Sequence, residues 1–434
     1  MRDLVVLGFM LLYVPLALNN AFVGYLLWGW AGLIALGAYL FGFMAGVPYA
    51  QIFALTTLVA LLLQRDTESL PFGMNRTLFL MIVFVVHGFM CALLAYPGLV
   101  RNWELFGNVT KTVLFCAFMP MLVTSRLRIH AMVVMLALAV SFHGALDGLK
   151  FLASGGGHNA AGISKFGDNN QFALVLAMVI PLLVYLFFHS EKWFVRWAFG
   201  GVAMLIVFAV VATDSRGGLV GLFALAFWIV LMGRRKVVGL IAIALAAFLV
   251  LQLAPQDWSD RMNTIQQADE DESFMGRVNV WKISSAIAVG HPIFGGGFRA
   301  VQSAPVWDKF EDAPGLLDFI ETERSTKSGR AAHSIWFEVL GDLGFIGFFI
   351  FVALLANAFY TRREILKITR KDPRKLQWAG DLADLMAAVL VVYMVSGSLL
   401  SAAYFEMPYI AMMMLEVVKL QVRRETLQKV PTPP

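Results

Sequence analysis

Charge is scarce in this chain. Only 15% of its 434 residues are Asp, Glu, Lys or Arg, and 59% are hydrophobic, whereas soluble domains contain about 25% charged residues. Apolar runs of roughly 17–25 residues recur along the sequence, which is the length that an α-helix needs to cross a bilayer. The composition therefore excludes an ordinary soluble domain and predicts an all-α polytopic membrane protein.

Cysteine is scarce too, and several catalytic motifs are absent. Cys91 and Cys116 both lie inside apolar runs and no Cys-x-x-Cys occurs, which excludes a disulfide framework and a cysteine metal site. The sequence has no His-Glu-x-x-His, no Gly-x-Ser-x-Gly and no phosphate-binding loop of the Gly-x4-Gly-Lys type. We therefore expect neither a metal nor another cofactor.

The apolar segments and the basic residues between them predict a topology. The segments lie at about 4–18, 20–44, 47–63, 77–97, 110–124, 129–150, 170–189, 197–213, 218–233, 238–255, 334–357, 383–402 and 405–420. Lys and Arg concentrate in alternate connections, which the positive-inside rule places in the cytoplasm. We expect about 12 membrane helices with both chain ends cytoplasmic, and the number of passes in residues 1–46 stays open.

One acidic stretch interrupts the apolar pattern. Residues 256–332 contain 12 acidic and 8 basic side chains, a net charge of −4 against +9 for the rest of the chain. We interpret it as an extracytoplasmic, periplasmic loop. Residues 273–289 have the apolar spacing of a helix that stops at Gly290-His291-Pro292. The predicted division is a transmembrane bundle over 1–255, this partly helical loop, transmembrane helices over 333–420 and a cytoplasmic tail over 421–434.

Three residues on the predicted non-cytoplasmic face are candidates for catalysis. Arg216 follows Asp214-Ser215, Arg277 lies on the predicted loop helix, and His333 opens the next apolar run. Arginine presents a planar fork of donors that suits phosphate oxygens. Two arginines and a histidine at a lipid–water boundary suit a polyprenyl pyrophosphate, with the arginines on the diphosphate and the histidine as a base. Each residue taken alone also fits a structural role as an interface anchor, a surface charge or a helix start.

Two further sets of polar residues were weighed. Asp269-Glu270-Asp271 resembles an acidic metal-binding triplet, but it lies in a solvated acidic run and no strand–helix nucleotide domain accompanies it. Asp168-Asn169-Asn170 precedes an apolar helix, where such residues cap helix starts, and it also suits a sugar contact. The candidate contacts for glycan or acceptor are Asp168, Asn169, Asn170, Trp281, Arg330 and Glu338.

The motifs between residues 210 and 350 resemble the O-antigen ligase/polymerase superfamily. They are Asp214-Ser215-Arg216-Gly217-Gly218, Arg277 with Trp281, Pro292 with Phe294-Gly295-Gly296-Gly297, and His333-Ser334 with Glu338, Gly341 and Gly344. Ser334 stands where many relatives have asparagine. The N-terminal half, through Met1-Arg2-Asp3-Leu4, Pro48-Tyr49-Ala50-Gln51 and Asp168-Asn169-Asn170, resembles the exosortase-associated O-glycosylation ligases.

The resemblance implies a reaction. A preassembled glycan would be transferred from undecaprenyl pyrophosphate to an acceptor hydroxyl outside the bacterial inner membrane, without nucleotide or metal and with inversion at the anomeric carbon. Lipid A–core is the preferred acceptor, and protein Ser/Thr or the growing glycan itself is the alternative. A transporter or flippase for a lipid-linked solute is the competing class, and nucleic acid is not an expected partner.

Overall fold

The computed structural model describes residues 1–63, 68–162, 168–232, 236–253, 272–322 and 328–427, and all regular structure in these ranges is helical. The α-helices are α1 (Arg2–Asn19), α2 (Ala21–Ile34), α3 (Tyr49–Leu62), α4 (Arg76–Leu93), α5 (Asn102–Leu122), α6 (Arg126–Ala153), α7 (Asn169–His189), α8 (Trp193–Ala212), α9 (Arg216–Met232), α10 (Lys236–Leu253), α11 (Glu272–Gly290), α12 (Ala304–Phe310), α13 (Ile335–Thr369), α14 (Pro373–Gly397) and α15 (Glu406–Leu427). Two short 3₁₀ turns, Leu36–Tyr39 and Ala300–Gln302, complete the described elements.

The prediction of a polytopic all-α membrane protein is confirmed. Within the described ranges, eight helices are long and apolar enough to cross a membrane, and four further apolar stretches are shorter: α2, α3, α9 and residues 239–248 of α10. The total of about 12 membrane helices stays a prediction, because these four stretches fall below the usual spanning length. The division of the chain into four regions also stays a prediction.

One end of the helix bundle carries a network of paired charges, and we call it the basic end. Glu364 near the end of α13 contacts Arg76, Lys419 and Arg423 there. The start of α6 lies at the same end. Its residue Arg128 contacts Glu68 at 3.0 Å, and Glu68 lies in the loop that leads to Arg76 at the start of α4. The guanidinium of Arg128 lies 4.7 Å from the ring centroid of Phe22, so α2 also begins at the basic end.

The first residues of the chain lie at the opposite end, which we call the site end. Arg2 donates to the carbonyl of Tyr39 at 3.3 Å, and Asp3 accepts from the amide of Met44 at 3.0 Å. Tyr39 in turn bonds His143, most of the way along α6 from the basic end. Helices α1 and α2 thus run in opposite directions between the two ends, so the first residue lies at the site end whereas α15 ends at the basic end, contrary to the prediction that both chain ends share one side.

The predicted segment 20–44 is not a single helix. Helix α2 stops at Ile34 because Ala35 adopts a left-handed conformation with φ of 50°. A 3₁₀ turn and an irregular stretch rich in small residues follow before α3 starts at Tyr49. An apolar composition allows this backbone path as well as a helix, so hydropathy alone does not reveal the break.

The described part of the long acidic stretch contains two helices, α11, which ends at Gly290, and the short α12; its place outside the cytoplasm stays a prediction. Residues from α11, the 3₁₀ turn and α12 bury a small apolar core of their own, which includes Ile283, Ile287, Trp307 and Phe310. This core is an ordinary hydrophobic cluster, separate from the large one inside the bundle. The predicted acidic run at 269–271 lies outside the described residues.

Helix α13 is kinked, and the loop is attached at the kink. Gly344 adopts φ of 67°, and a Cβ there would lie 2.8 Å from the carbonyl oxygen of Pro292. The amides of Gly296 and Gly297 donate to the carbonyls of Gly341 and Asp342, at 2.9 and 3.0 Å. Glycine is needed at this kink for both its φ and the close approach. The attachment fixes α11 relative to the first turns of α13, which begins two residues after His333.

Candidate functional site

A cavity of about 220 Å³ opens at the site end, where α7, α9 and α11 begin and α14 ends. Both arginines predicted to hold a diphosphate contribute to it. Its lining residues are Asn169, Asn170, Asp214, Arg216, Gly217, Arg277, Leu399 and Leu400. Polar side chains thus form most of one wall, and two leucines of the loop after α14 form another part.

The starts of α7 and α9 are tied together beneath this cavity. Ser215 accepts from the amide of Gly218 at 3.1 Å, as a helix cap does, and donates to the amide oxygen of Asn170 at 2.7 Å. Asn169 donates to the carbonyl of Thr213 at 2.8 Å. Helix N-termini carry partial positive charge, so this junction brings two of them, together with exposed Arg216, to the same rim.

Arg277 reaches the cavity from α11, and the indole of Trp281 fixes that helix. The indole N–H donates to the carbonyl of Ala332 at 2.7 Å, and the ring stacks on Phe337 at 5.2 Å between centroids with 8° between planes. Arg277 is half-buried. The predicted contact residue Trp281 therefore holds α11 to the segment that carries His333, and whether it also touches a glycan stays a prediction.

His333 is held in a strained conformation beside the cavity. Its φ is 45°, in the left-handed region that residues other than glycine seldom adopt, although Asn, Asp and His do so more often than the rest. Its amide donates to the hydroxyl of Ser401 at 2.8 Å. Burial lowers the pKa of the imidazole below its usual value, and the positive charges of Arg277 and Arg330 lower it further against the opposing charge of Asp168. The ring is therefore neutral at pH 7 and able to accept a proton.

Arg330 lies near the arginine of α11. A Cβ on Gly276 would come within 2.7 Å of a guanidinium nitrogen of Arg330, so this exposed side chain covers the helix next to Arg277. It acts electrostatically on His333 but does not line the cavity. Three arginines thus lie in this region: Arg216 and Arg277 line the cavity, and Arg330 lies near Arg277 and His333.

The other predicted contacts occupy three kinds of position. Asn169 and Asn170 line the cavity, whereas Asp168 caps α7 by accepting from the amide of Gln171 at 2.8 Å. Glu338 is 5% exposed, and its carboxylate accepts from the amide of Ala403 at 2.9 Å. This bond anchors the loop after α14, so the structure gives Glu338 a positioning role, while a substrate contact stays a prediction.

Sequence reasoning missed the loop between α14 and α15. Leu399 and Leu400 line the cavity, and Ser401 binds both the amide of His333 and, through its carbonyl, the side chain of Gln171 at 2.8 Å. Nothing in the composition of this loop marks it as part of a site. Asp214 also lines the cavity without having been named as a candidate. Unlike the leucines, it did have a sequence signal, because it directly precedes Ser215-Arg216 in a motif already singled out.

Comparison with known families agrees with the motifs. Residues 201–352 match the family described as O-antigen ligase, and residues 1–191 match a family of unknown function (DUF5935). No curated protein matches the chain. Arg216, Arg277 and His333 all fall within the first matched segment, whereas Asn169 and Asn170 fall within the second, so the cavity is built from both. The match over residues 201–352 confirms the resemblance to the O-antigen ligase superfamily that the motifs carry.

Proposed function

We propose that the protein is a glycosyltransferase of the O-antigen ligase type, which transfers a preassembled glycan from undecaprenyl pyrophosphate to an acceptor hydroxyl. The observation that carries the proposal is the cavity in which Arg216 and Arg277 meet, with a neutral histidine beside it. The preferred acceptor is a sugar of lipid A–core, which would place the enzyme in lipopolysaccharide biosynthesis.

The residues divide the reaction between them. The acceptor oxygen bonds to the anomeric carbon while the bond from that carbon to the diphosphate oxygen breaks, and the configuration inverts. The diphosphate leaves with the electron pair, and Arg216 and Arg277 stabilise its growing charge as preorganised donors. His333 takes the proton of the acceptor hydroxyl as general base. No step needs a metal or another cofactor.

A lipid-linked donor is supported by the outer face of α9. Below Arg216 on the same helical face lie Val220, Phe223, Phe227 and Leu231, with exposed fractions of 36%, 73%, 65% and 46%. Spacings of three and four residues keep them in one stripe. A diphosphate on Arg216 would therefore leave its polyprenyl tail beside a continuous apolar surface that runs toward the middle of the bilayer.

The proposed sidedness follows from charge. Basic side chains cluster at the end of the bundle opposite the cavity, at Arg76, Arg362, Lys419 and Arg423, and the positive-inside rule assigns such an end to the cytoplasm. The cavity then faces the periplasm, with the protein in the bacterial inner membrane. Helix α15 then ends on the cytoplasmic side, and α1 begins on the periplasmic side.

One reconstitution tests the function. Purified protein in detergent is given a labelled polyprenyl-pyrophosphate glycan together with lipid A–core, a Ser/Thr-containing protein acceptor, or no acceptor. A mass spectrum of the product distinguishes lipid ligation, protein O-glycosylation and polymerisation. Because detergent abolishes any gradient, glycan transfer there excludes a pure transporter, whereas donor binding without any product would support the transporter.

The same assay tests the absence of a metal requirement. Transfer is expected to continue in excess EDTA, because arginines rather than a divalent ion balance the diphosphate charge. Loss of transfer in EDTA with recovery on addition of Mg²⁺ or Mn²⁺ would contradict this mechanism and would favour the acidic run at 269–271 as a metal site.

A further inference from the structure

One carboxylate lines the same cavity as the two arginines. Asp214 is half-buried at the junction of α8 and α9, and it shares the lining with Arg216 and Arg277. A carboxylate does not itself bind a diphosphate, since like charges repel, so Asp214 either orients the arginines or faces another part of the donor. The position of Asp214 therefore needs an explanation other than donor binding through phosphate.

The backbone of Asp214 is held in an unusual conformation. Its φ is 52°, and among the described residues the only other non-glycine positions with positive φ are Ala35, Arg299 and His333. Two of these four thus belong to the proposed site. Left-handed backbone is uncommon at residues other than glycine, even though Asp adopts it more readily than most, and it persists where surrounding contacts enforce it, often at functional positions.

The contacts around Asp214 supply that enforcement and aim its carboxylate. The residues on either side, Thr213 and Ser215, are almost completely buried and hydrogen-bonded to the asparagines at the start of α7. One carboxylate oxygen accepts from the side-chain amide of Asn159 at 3.0 Å. The carboxyl group is therefore fixed from both the backbone and the side chain, at the cavity wall.

We propose that Asp214 is a catalytic residue that faces the donor sugar rather than its diphosphate. This inference rests on the proposed glycosyl transfer. As the bond from the anomeric carbon to the diphosphate oxygen breaks, the sugar ring gains oxocarbenium-like positive charge. A fixed carboxylate beside the ring stabilises that charge without forming a bond, while the proton of the acceptor goes to His333 and the electron pair leaves with the diphosphate.

This assignment predicts effects of opposite sign on binding and on catalysis. In the ground state the carboxylate repels the bound diphosphate, so removing its charge leaves donor affinity unchanged or makes it tighter. In the transition state the carboxylate attracts the ring, so removing its charge slows transfer. Preorganised electrostatic groups of this kind are worth on the order of 10²-fold or more in kcat.

The test is Asp214→Asn, compared with wild type in a donor-binding assay and in single-turnover transfer. Asparagine has the same shape and tolerates left-handed backbone, so the fold of the junction is retained. We expect transfer to fall about 10²-fold with donor affinity equal to or above that of wild type. Asn159→Ala is expected to slow transfer less, and to add little in the Asp214→Asn background.

A matched control is Asp147→Asn. Asp147 is another carboxylate at the site end, bonded to His158 and Lys150 and outside the cavity lining, so its neutralisation is expected to change neither measurement. If Asp214→Asn transfers at the wild-type rate, or loses donor affinity in proportion to transfer, Asp214 is at most a counter-ion that orients the arginines and the inference is wrong. If the wild type itself transfers no glycan, the proposed function fails first.

Discussion

The two ends of this bundle use charged residues in different ways. At the basic end the carboxylate of Glu364 contacts Arg76 at 2.8 Å, Arg423 at 3.0 Å and Lys419 at 3.4 Å, and Lys419 also contacts Glu416 at 2.6 Å. At the site end, Arg216 and Arg277 line an open cavity together with Asp214. Cations whose charge is balanced by buried carboxylates stabilise the fold, whereas cations that line a cavity can also contact a ligand that enters it.

Backbone conformation shows the same contrast. Helices at the basic end start with ordinary caps, as when Ser125 accepts from the amide of Arg128 at 3.3 Å and Asp372 from that of Lys375, also at 3.3 Å. At the site end, Asp168 and Ser215 cap α7 and α9 in the same way, but Asp214 and His333, which lie beside helix starts there, also have positive φ. Local strain of this kind is retained where the fold is optimised for something other than stability. The comparison predicts that substitutions at the site end reduce activity and those at the basic end reduce stability.

The largest expected effect is that of His333→Ala. Removal of a general base typically costs about 10²–10⁴-fold in rate, while donor binding should persist because the arginines hold the diphosphate. A transfer assay and a donor-binding assay, run side by side, measure the two. His158→Ala is the control, since this histidine at the same end pairs with Asp147 outside the cavity. If His333→Ala lost donor affinity as severely as Arg277→Ala, the histidine would be a phosphate ligand and the base would lie elsewhere.

At the basic end, Lys419→Met should act on stability alone. Lys419 and Glu416 are each 2% exposed, and removal of one partner of a buried ion pair costs about 3–5 kcal/mol because the other charge is left uncompensated. We expect a lower midpoint in an SDS unfolding titration, with normal transfer per folded molecule. The double substitution Glu416→Gln and Lys419→Met should recover part of the loss. A variant of wild-type stability with impaired transfer would contradict the division of roles.

The next effect concerns the shape of the cations. Arg216→Lys and Arg277→Lys keep the charge but lose the planar fork that binds two phosphate oxygens, so each should reduce transfer by about 10²–10³-fold. Both should fold normally, since the two residues lie at the cavity rim. Arg423→Lys is the matched control, because its ion pair with Glu364 is about half exposed on the arginine side and such pairs contribute little. Near wild-type transfer by both site variants would exclude the proposed diphosphate site.

The sequence predicted the fold and the main catalytic candidates for physical reasons. Long apolar runs identify membrane helices because each helix must span the same thickness, and the alternation of basic loops placed Arg216, Arg277 and His333 at one end. The structure brings Arg216 and Arg277 into one cavity, and the hydrogen bond from Trp281 to the carbonyl of Ala332 holds the helix of Arg277 against the segment that carries His333.

Other parts of the site and the fold leave no comparable signal. Leu399 and Leu400 are apolar residues in a chain rich in them, and only the packing of distant helices makes them part of the cavity wall. The break at Ala35 depends on one left-handed residue within an apolar, small-residue segment. Hydropathy averages over such a position, so the sequence alone did not settle the number of passes in residues 1–46 or the side of the first residue.

The smallest expected effect is a shift in pH dependence, and it tests which charges act on His333. The base must be neutral to accept a proton, so kcat/KM should be constant near pH 7 and fall as pH drops through the lowered pKa of His333. Arg330→Gln removes a positive neighbour that lowers this pKa, so the acidic limb of the profile should move to higher pH. Asp168→Asn removes the negative neighbour that raises it, so the limb should move to lower pH, while asparagine still caps α7.

Lys150→Gln, a change of charge at the same end but outside the groups that act on His333, should leave the limb in place. Shifts of both site variants in one direction would show that the acidic limb belongs to another group.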